Sequence, residues 1–336
     1  MKKLSVVLLN FNGQHHLENF LPSVTNYSKP YEVVLVDNGS TDGSVQFVKE
    51  KFPSVTCITF DENHGFSGGY NKALALIDSE YVVLLNTDVE VTKNWIPPVL
   101  ERLESDDQIK AAQPKILDHK AKDYFEYAGA SGGFIDSLGY PFCRGRIFQT
   151  LEQDNGQYND STDIFWASGS CLFVHRQTYL DLGGLDVDFF AHMEEIDLCW
   201  RIWKAKGRIV VSPESTVYHV GGGTLDKSKP RKTYLNFRNG LSLLLKNEDA
   251  SKLLWKFPLR IALDWIALVK FSLESGPKHG LAIFKAHLYI LQHFRSTIKK
   301  RSSILNHSQI PRFKGWVIWS YFVSGHKKLS QLKGKF

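Results

Sequence analysis

Cysteine is scarce and scattered. Cys57, Cys143, Cys171 and Cys199 are the only four among 336 residues, and no two form a C-x-x-C pair. That spacing argues against a zinc knuckle or a disulfide framework, and it suits a reducing cytosol. Long apolar runs are also missing: no stretch approaches the roughly 18 uninterrupted apolar residues that a spanning helix needs. The opening M-K-K-L-S-V-V-L-L-N has two lysines and a short apolar stretch. No small-residue cleavage site follows, so the stretch is expected to be the first core strand and not a signal peptide. No glycine loop runs into G-K-[ST], which removes the P-loop. No fold motif for nucleic acid is present either, so no nucleic-acid partner is expected.

What the chain does have is enough apolar residue, 43%, to bury a core of one large domain or two modest ones. Its net charge of +6 hides a division. From Lys227 onward there are 22 basic and 4 acidic residues, a balance of +18, whereas the first 226 residues carry −12. An acidic front suits a cation-using site, and a basic tail suits an anionic partner.

The first ninety residues alternate strand and helix. Leu4 to Leu9 is a buried strand, broken by Asn10-Phe11-Asn12-Gly13, and a helix with Leu17, Phe20, Leu21 and Val24 on one face follows. Glu32 to Val36 is the second strand. It ends in Asp37-Asn38-Gly39-Ser40, and a helix starts near Ser44. Val55 to Phe60 is the third strand. Asp61 to Asn71 is a glycine-rich loop with Gly65, Gly68 and Gly69, which let backbone amides approach a bound group, and a helix spans Lys72 to Ile77. Tyr81 to Val91, Y-V-V-L-L-N-T-D-V-E-V, is a strand ending in Asn86-Thr87-Asp88. This pattern predicts a parallel, helix-covered Rossmann-like sheet whose loops gather along one edge. Asp37 then fits a nucleoside contact or a plain turn former. The oxygens of Asn86 and Asp88, at i and i+2, fit a hard cation or a polar turn.

Further on, Trp95 to Leu103 reads as a helix and Ala111 to Leu117 as a strand. Residues 118–165 are expected to be an irregular, mobile lid over the sheet edge. Order returns at Ile164 to His175. In F-F-A-H-M-E-E-I-D-L-C-W-R-I-W, Phe189 to Trp203, the carboxylates Glu194, Glu195 and Asp197 crowd a helix start. They serve either as first-turn caps or as a general base with a raised pKa. His219 precedes three glycines in an expected flexible loop, where its imidazole could reach a metal. From Thr233 the chain turns helical. Leu253 to Phe271 and Leu281 to Phe294 combine aromatic and apolar residues with spaced cations, as helices in a membrane interface do. The other reading is a helical subdomain packed on the core.

Four blocks together resemble family 2 glycosyltransferases of the GT-A fold, most closely the bacterial rhamnosyltransferase type. They are V-V-L-V-D-N-G-S-T-D-G-S (Val33 to Ser44), N-H-G-F-S-G-G-Y-N (Asn63 to Asn71), L-L-N-T-D-V-E-V (Leu84 to Val91) and M-E-E-I-D-L-C-W-R (Met193 to Arg201). The resemblance implies an α/β GT-A catalytic domain over residues 1–245, with a mostly parallel, helix-flanked sheet. The resemblance covers roughly residues 4 to 245; by their charge and composition residues 246–336 are expected to be a basic, membrane-associating helical extension. The resemblance also implies inverting transfer of a sugar, rhamnose or similar, from a nucleotide-sugar donor to a lipid-linked or polysaccharide acceptor in cell-surface glycan synthesis. The setting would be cytoplasmic, peripheral at an anionic inner membrane face. Asn12, Asp37, Asn63, Gly65, Gly68, Asn71, Asn86 and Arg238 would line the nucleotide-sugar site, with Trp166 and Gly169 near a sugar. Asp88 and His219 would hold a divalent cation, Mg²⁺ or Mn²⁺. Glu195 would be the base, beside Glu194 and with Asp197 as the alternative. The chain departs from the family pattern twice: Asn86-Thr87-Asp88 replaces a pair of aspartates, and Glu194-Glu195 replaces Glu-Asp. Two other readings are a sugar-phosphate nucleotidyltransferase, for which Asn10 to Gly13 lacks a basic triphosphate loop, and a catalytically silent glycan-binding protein.

Overall fold

Residues whose side chains are apolar without alternation need cover on both faces, and the N-terminal strands receive it. In the computed structural model, which describes residues 1–221, 229–307 and 309–332, the chain begins β1 (Lys2–Asn10), α1 (Gln14–Tyr27), β2 (Glu32–Asn38), α2 (Ser44–Lys51), β3 (Thr56–Phe60), α3 (Gly65–Leu76) and β4 (Ser79–Leu85). These strands pair in parallel in the order β4-β1-β2-β3. Val7, Val34 and Leu84 pack on one face, and Val6, Leu35 and Val83 on the other. That double burial is why the runs read as continuous apolar segments. Register places Asn10 opposite Asp37 and Leu8 opposite Leu85. The strand ends are therefore level, and the loops after them share one edge.

The chain continues through β5 (Val89–Val91), α4 (Pro97–Glu104) and β6 (Ile109–Asp118), then β7 (Gly133–Asp136), β8 (Pro141–Cys143), β9 (Arg146–Ile147) and β10 (Thr150–Leu151). β11 (Thr162–Asp163), β12 (Cys171–His175), α5 (Arg176–Asp181), α6 (Glu194–Lys204) and β13 (Arg208–His219) follow. The tail holds α7 (Pro230–Asn247), α8 (Ala250–Glu274), α9 (Pro277–Lys299), β14 (Arg312–Phe313) and α10 (Val317–Phe322). β12 runs antiparallel to both β4 and β6, whereas β13 is parallel to β6. The fold is thus α/β with a mixed central sheet flanked by helices, and a helical C-terminal extension.

Two expectations change. The glycine-rich stretch is not a loop leading to a helix at Lys72; α3 already begins at Gly65. Gly69 allows this, because a Cβ there would come within 2.7 Å of Leu9 Cδ1, so the helix lies directly on β1. The segment 118–165 is not a lid. It builds a second sheet, β10-β9-β8-β7-β14, whose last strand comes from the tail. Its aromatic residues are core: Phe142 meets Phe313 edge-on at 5.9 Å, and Asp136 accepts the Val317 amide at 2.9 Å.

The closest approach in this second layer is at Gly133, which exchanges backbone hydrogen bonds with Trp166. A Cβ on Gly133 would sit 1.9 Å from the Trp166 indole, a fused ring with no room to swing away. Gly133→Ala is therefore expected to cost about 3 kcal/mol of stability through overpacking, read as a lowered urea midpoint with an unchanged slope.

Candidate active site

The loops after β1, β2 and β3 are bound to one another by short amides. Asn12, at φ 50°, accepts the Thr41 amide on its Oδ1 at 2.8 Å, and its own backbone N–H donates to Ser40 Oγ at 2.9 Å. Asp37 is buried and accepts from Asn10 Nδ2 at 3.0 Å and from the Ser40 amide at 3.0 Å. The Oδ1 of Asn10 is buried and has no partner. Asn63 accepts from Asn38 Nδ2 and from the Gly65 amide, at 3.0 and 2.8 Å. Gly65, at φ +70°, faces open space, and Gly68 sits one turn along α3. Asn12, Asp37, Asn63, Gly65 and Gly68 therefore lie together at the strand ends, where open α/β sheets take ligands. Asn10 and Asn38, which sequence reading did not single out, tie this edge together. Asn71 does not join it. Its Nδ2 donates to the Leu185 carbonyl at 2.8 Å and its Oδ1 accepts from Tyr179 and the Leu185 amide, so the amide is spent fixing a turn.

At the end of β4, Asn86 donates its backbone N–H to the Ser170 carbonyl at 3.0 Å, and Asp88 turns its carboxylate toward His219. His219 is the last residue of β13 and is buried, rather than lying in a loop. Gly222 and Gly223, expected to follow it in that loop, lie outside the described residues. His219 Nε2 is 3.2 Å from Asp88 Oδ1, and its Nδ1 is 3.4 Å from Glu126 Oε1. The second approach is a charge contact without hydrogen-bond alignment, since Nδ1 has no hydrogen-bond partner. Burial alone would lower the imidazole pKa, but Asp88 and Glu126 together push it up to about 10. Burial likewise works to raise the Asp88 carboxyl, and His219 overrules it, leaving the pKa below its ordinary value. The charged imidazole and the two carboxylates thus favour one another. Glu126 was missed by sequence reading; its only signal is a carboxylate set among aromatics in Y-F-E-Y.

A divalent cation fits here on donor chemistry. One carboxylate oxygen and one imidazole nitrogen converge, with Glu126 behind the ring to orient it. Among the described residues, no cluster of three or more His, Cys, Asp or Glu could hold a metal alone. Mg²⁺ and similar ions commonly take few protein ligands and complete their shell with phosphate oxygens and water.

Gly169 joins this corner to the acidic helix. A Cβ on it would meet Glu195 Cβ at 3.6 Å and Phe66 Cζ at 3.7 Å, and its neighbour Ser170 holds Asn86. Glu195 and Glu194 occupy the first turn of α6. Each has an Oε2 with no partner. Burial pushes the Glu195 carboxyl up to about 7, against the pull of the helix-start amides. Burial, and then the charge of Glu195, raises Glu194 well above the carboxylate range. Asp197 is different, although it lies in the same turn. Its carboxylate takes Arg201 and Lys246 at 2.8 Å and Asn247 at 2.8 Å. These cations hold its pKa low against burial, so Asp197 is a structural anchor and not the alternative base.

Arg238 is also reassigned. Its guanidinium donates to the Asp188 and Phe189 carbonyls at 2.9 and 2.6 Å and to Asn239 Oδ1, so it is occupied with backbone and is not a free phosphate fork. Trp166 lies buried with its indole N–H on the Phe134 carbonyl at 3.0 Å, in the second layer and not on a sugar-facing surface. What Arg238 and Asn239 hold is strained: Phe190, His192 and Met193 all have positive φ, at 65°, 68° and 75°. Asn239 Nδ2 reaches the carbonyls of Phe189, Ala191 and His192. Such backbone costs of order 1–3 kcal/mol per residue and persists only where surroundings enforce it. Here it sets the angle at which Glu194 and Glu195 enter the site.

A helix-flanked mixed sheet whose strand-end loops share one edge beside an acidic helix start is the α/β arrangement in which ligands bind at the carboxyl ends of the strands. Comparison names the class: residues 5–176 match the sequence pattern of glycosyl transferase family 2, and the chain belongs to that family. It is a glycosyltransferase. It is 29% identical over 302 residues to an N-acetylglucosaminyl-diphospho-decaprenol L-rhamnosyltransferase of Mycobacterium tuberculosis, covering 83% of this chain and 97% of that one. With a low-salt glycan biosynthesis hexosyltransferase of Haloferax volcanii it shares 24% over 243 residues, 70% of this chain and 73% of the other. Among solved structures, GalNAc-T7 with UDP, GalNAc and Mn²⁺ superposes with a TM-score of 0.59 at 17% identity, over 87% of this chain and 57% of that one. A Pyrobaculum calidifontis mannosyltransferase with GDP-Man and Mn²⁺ gives 0.51 at 15%, over 89% and 84%. These two likenesses establish the GT-A-like fold.

Because Asn239 both spans the strained turn and is fully buried, Asn239→Ala is expected to cost about 2 kcal/mol. It should lower kcat with little change in donor KM, which separates a positioning residue from a donor contact in steady-state kinetics.

Proposed function

We propose that the chain transfers a sugar, rhamnose or a related hexose, from a nucleotide-sugar donor to a lipid-linked or polysaccharide acceptor in cell-surface glycan synthesis, with inversion at the anomeric carbon. The observation that carries this reading is Glu195: a carboxylate whose Oε2 has no hydrogen-bond partner and whose pKa is raised to about 7, one glycine from the loop that holds the Asn86–Asp88 corner. A group with that pKa is matched to removing a proton near neutral pH. The mycobacterial relative, whose name gives a diphospho-polyprenol acceptor and L-rhamnose, supports the choice of sugar and acceptor.

Glu195 takes the proton of the acceptor hydroxyl as that oxygen attacks the anomeric carbon. The nucleotide diphosphate departs from the opposite face, so a single displacement inverts the centre. Asn12, Asp37, Asn63 and the start of α3 position the nucleotide. Asp88 and His219 would hold a divalent cation, Mg²⁺ or Mn²⁺, supplying charge that stabilises the departing diphosphate. Loading it requires His219 to give up its proton. Residues 1–245 carry the transferase, and 246–336 form an extension that keeps the enzyme at the cytoplasmic face of the membrane where a lipid-linked acceptor lies.

Glu195→Gln should retain nucleotide binding in calorimetry and lose about 10²–10⁴-fold in kcat; unchanged turnover would move the base elsewhere. In the unaltered enzyme kcat/KM should rise with pH through about 7, because Glu195 works only when deprotonated. Glu126→Gln should weaken Mn²⁺ binding, read directly by paramagnetic resonance of the free ion, by about 10–100-fold.

A further inference from the structure

α8 is built the wrong way round for a helix in water. The residues it buries are Lys256, Arg260 and Asp264. The residues it exposes include Leu254, Ile266, Val269 and Leu273, the last 82% accessible. Positions 262, 266, 269 and 273 recur at helical spacing, so they form one stripe. α9 carries a matching stripe of Leu281, Leu288 and Leu291, the last 74% accessible. Trp265 of α8 and Phe284 of α9, both exposed, touch at 6.2 Å between ring centres, so the two stripes are one surface. It is far larger than the scattered apolar residues ordinary surfaces show, and such faces mark interaction sites.

Charge selects the occupant. The exposed ionisable groups of the two helices, histidine aside, are six cations, Lys252, Lys270, Lys278, Lys285, Arg295 and Lys299, and a single carboxylate, Glu274. A second copy pressed face to face would set like charges against one another, whereas an anionic surface neutralises them. Among the described residues, no helix is long and apolar enough to cross a membrane. Trp, Phe and Leu on one side with Lys and Arg around them is the composition of a helix lying in the headgroup layer.

We propose that the joined outer faces of α8 and α9 dock the enzyme onto an anionic phospholipid surface. The buried side of the same helix reaches the site: Arg260 lies over the Tyr140 ring at 3.4 Å, and both Arg260 and Met193, the residue before Glu194, flank Gly240. Docking by the outer face thus sets the start of α6 about one helix diameter, roughly 10 Å, from the bilayer. This identifies the surface behind the membrane location proposed above, and it is readable without turnover, so it stands or falls apart from the assignment of Glu195.

The full chain is floated with vesicles of phosphatidylcholine alone or mixed with phosphatidylglycerol. Binding is expected only to the mixed vesicles, weakening as salt rises. The combined substitution Ile266→Ser, Val269→Ser and Leu291→Gln alters solvent-facing positions only; it should keep the thermal midpoint and lower partitioning about tenfold or more. Lys278→Glu with Lys285→Glu should also lower it about tenfold or more. Absence of binding to the mixed vesicles, or binding that the apolar substitutions leave unchanged, would overturn the proposal. So would a dimer in light scattering that the apolar substitutions dissolve while vesicles are ignored, which would give the face to a second copy.

Discussion

The Asp197 carboxylate is the point on which the acidic helix depends. It is wholly inaccessible, and removing such a charge from water costs several kcal/mol unless it is fully paired. Here it is: Arg201, Lys246 and Asn247 all reach it. The two cations each do a second job. Arg201 donates to the Leu182 and Gly184 carbonyls, and Lys246 also binds Asp186 at 2.8 Å. One buried anion thereby fixes the turn before α6, the helix itself and the C-terminal part of α7. The strained residues 190–193 are caught between these fixed points, which is how unfavourable backbone can persist there.

The same turn shows how environment divides identical chemistry. Asp197 and Glu195 are two residues apart, and burial acts on both in the same direction. At Asp197 two cations outweigh it. At Glu195, among the described residues, only backbone amides oppose it, so the pKa rises. Pairs of carboxyls pushed apart in this way are where acid–base roles are found. The Asp88–His219 corner uses the complementary arrangement: two carboxylates, Asp88 and Glu126, raise a histidine against the pull of burial.

The strands were legible because parallel strands covered on both faces must be written as unbroken apolar runs. The site edge followed from them, since register alone brings Asn10, Asp37 and the end of β4 level. The α6 carboxylates were legible as a cluster but not as individuals. Locally only Arg201, at i+4 of Asp197, distinguishes it from Glu195; the rest of the distinction lies in Lys246 and Asn247, some fifty residues later. Arg238 and Asn71 show the same limit: in the fold both side chains hold backbone groups. Residues able to bind phosphate or nucleotide are equally able to hold backbone carbonyls, and only the fold shows which use they serve. Glu126 was invisible because it lies in the connection between β6 and β7, and its partner, His219, ends β13 some ninety residues later. The second sheet was missed because its strands are two to four residues long and its edge strand arrives from the tail.

The inversion of α8 connects these points. A helix that packs on a protein normally turns its apolar stripe inward, since that burial is what holds it there. α8 sets Leu253, Phe257 and Ile261 against Leu241, Leu245 and Ile290, but its most buried positions make polar contacts: Arg260 donates to the Leu138 carbonyl at 2.9 Å, Tyr140 approaches Asp264 at 3.3 Å, and His287 of α9 approaches the other Asp264 oxygen at 3.3 Å. Such contacts are directional. They fix the rotation of α8 about its axis far more tightly than an apolar stripe would, because a turn of one residue would leave buried charges unpaired. That fixed rotation keeps the apolar stripe pointing away from the protein and aligned with that of α9. Rolling α8 to bury its exposed leucines would pull Arg260 and Asp264 away from these partners, and so its outer face stays available to a partner outside the chain.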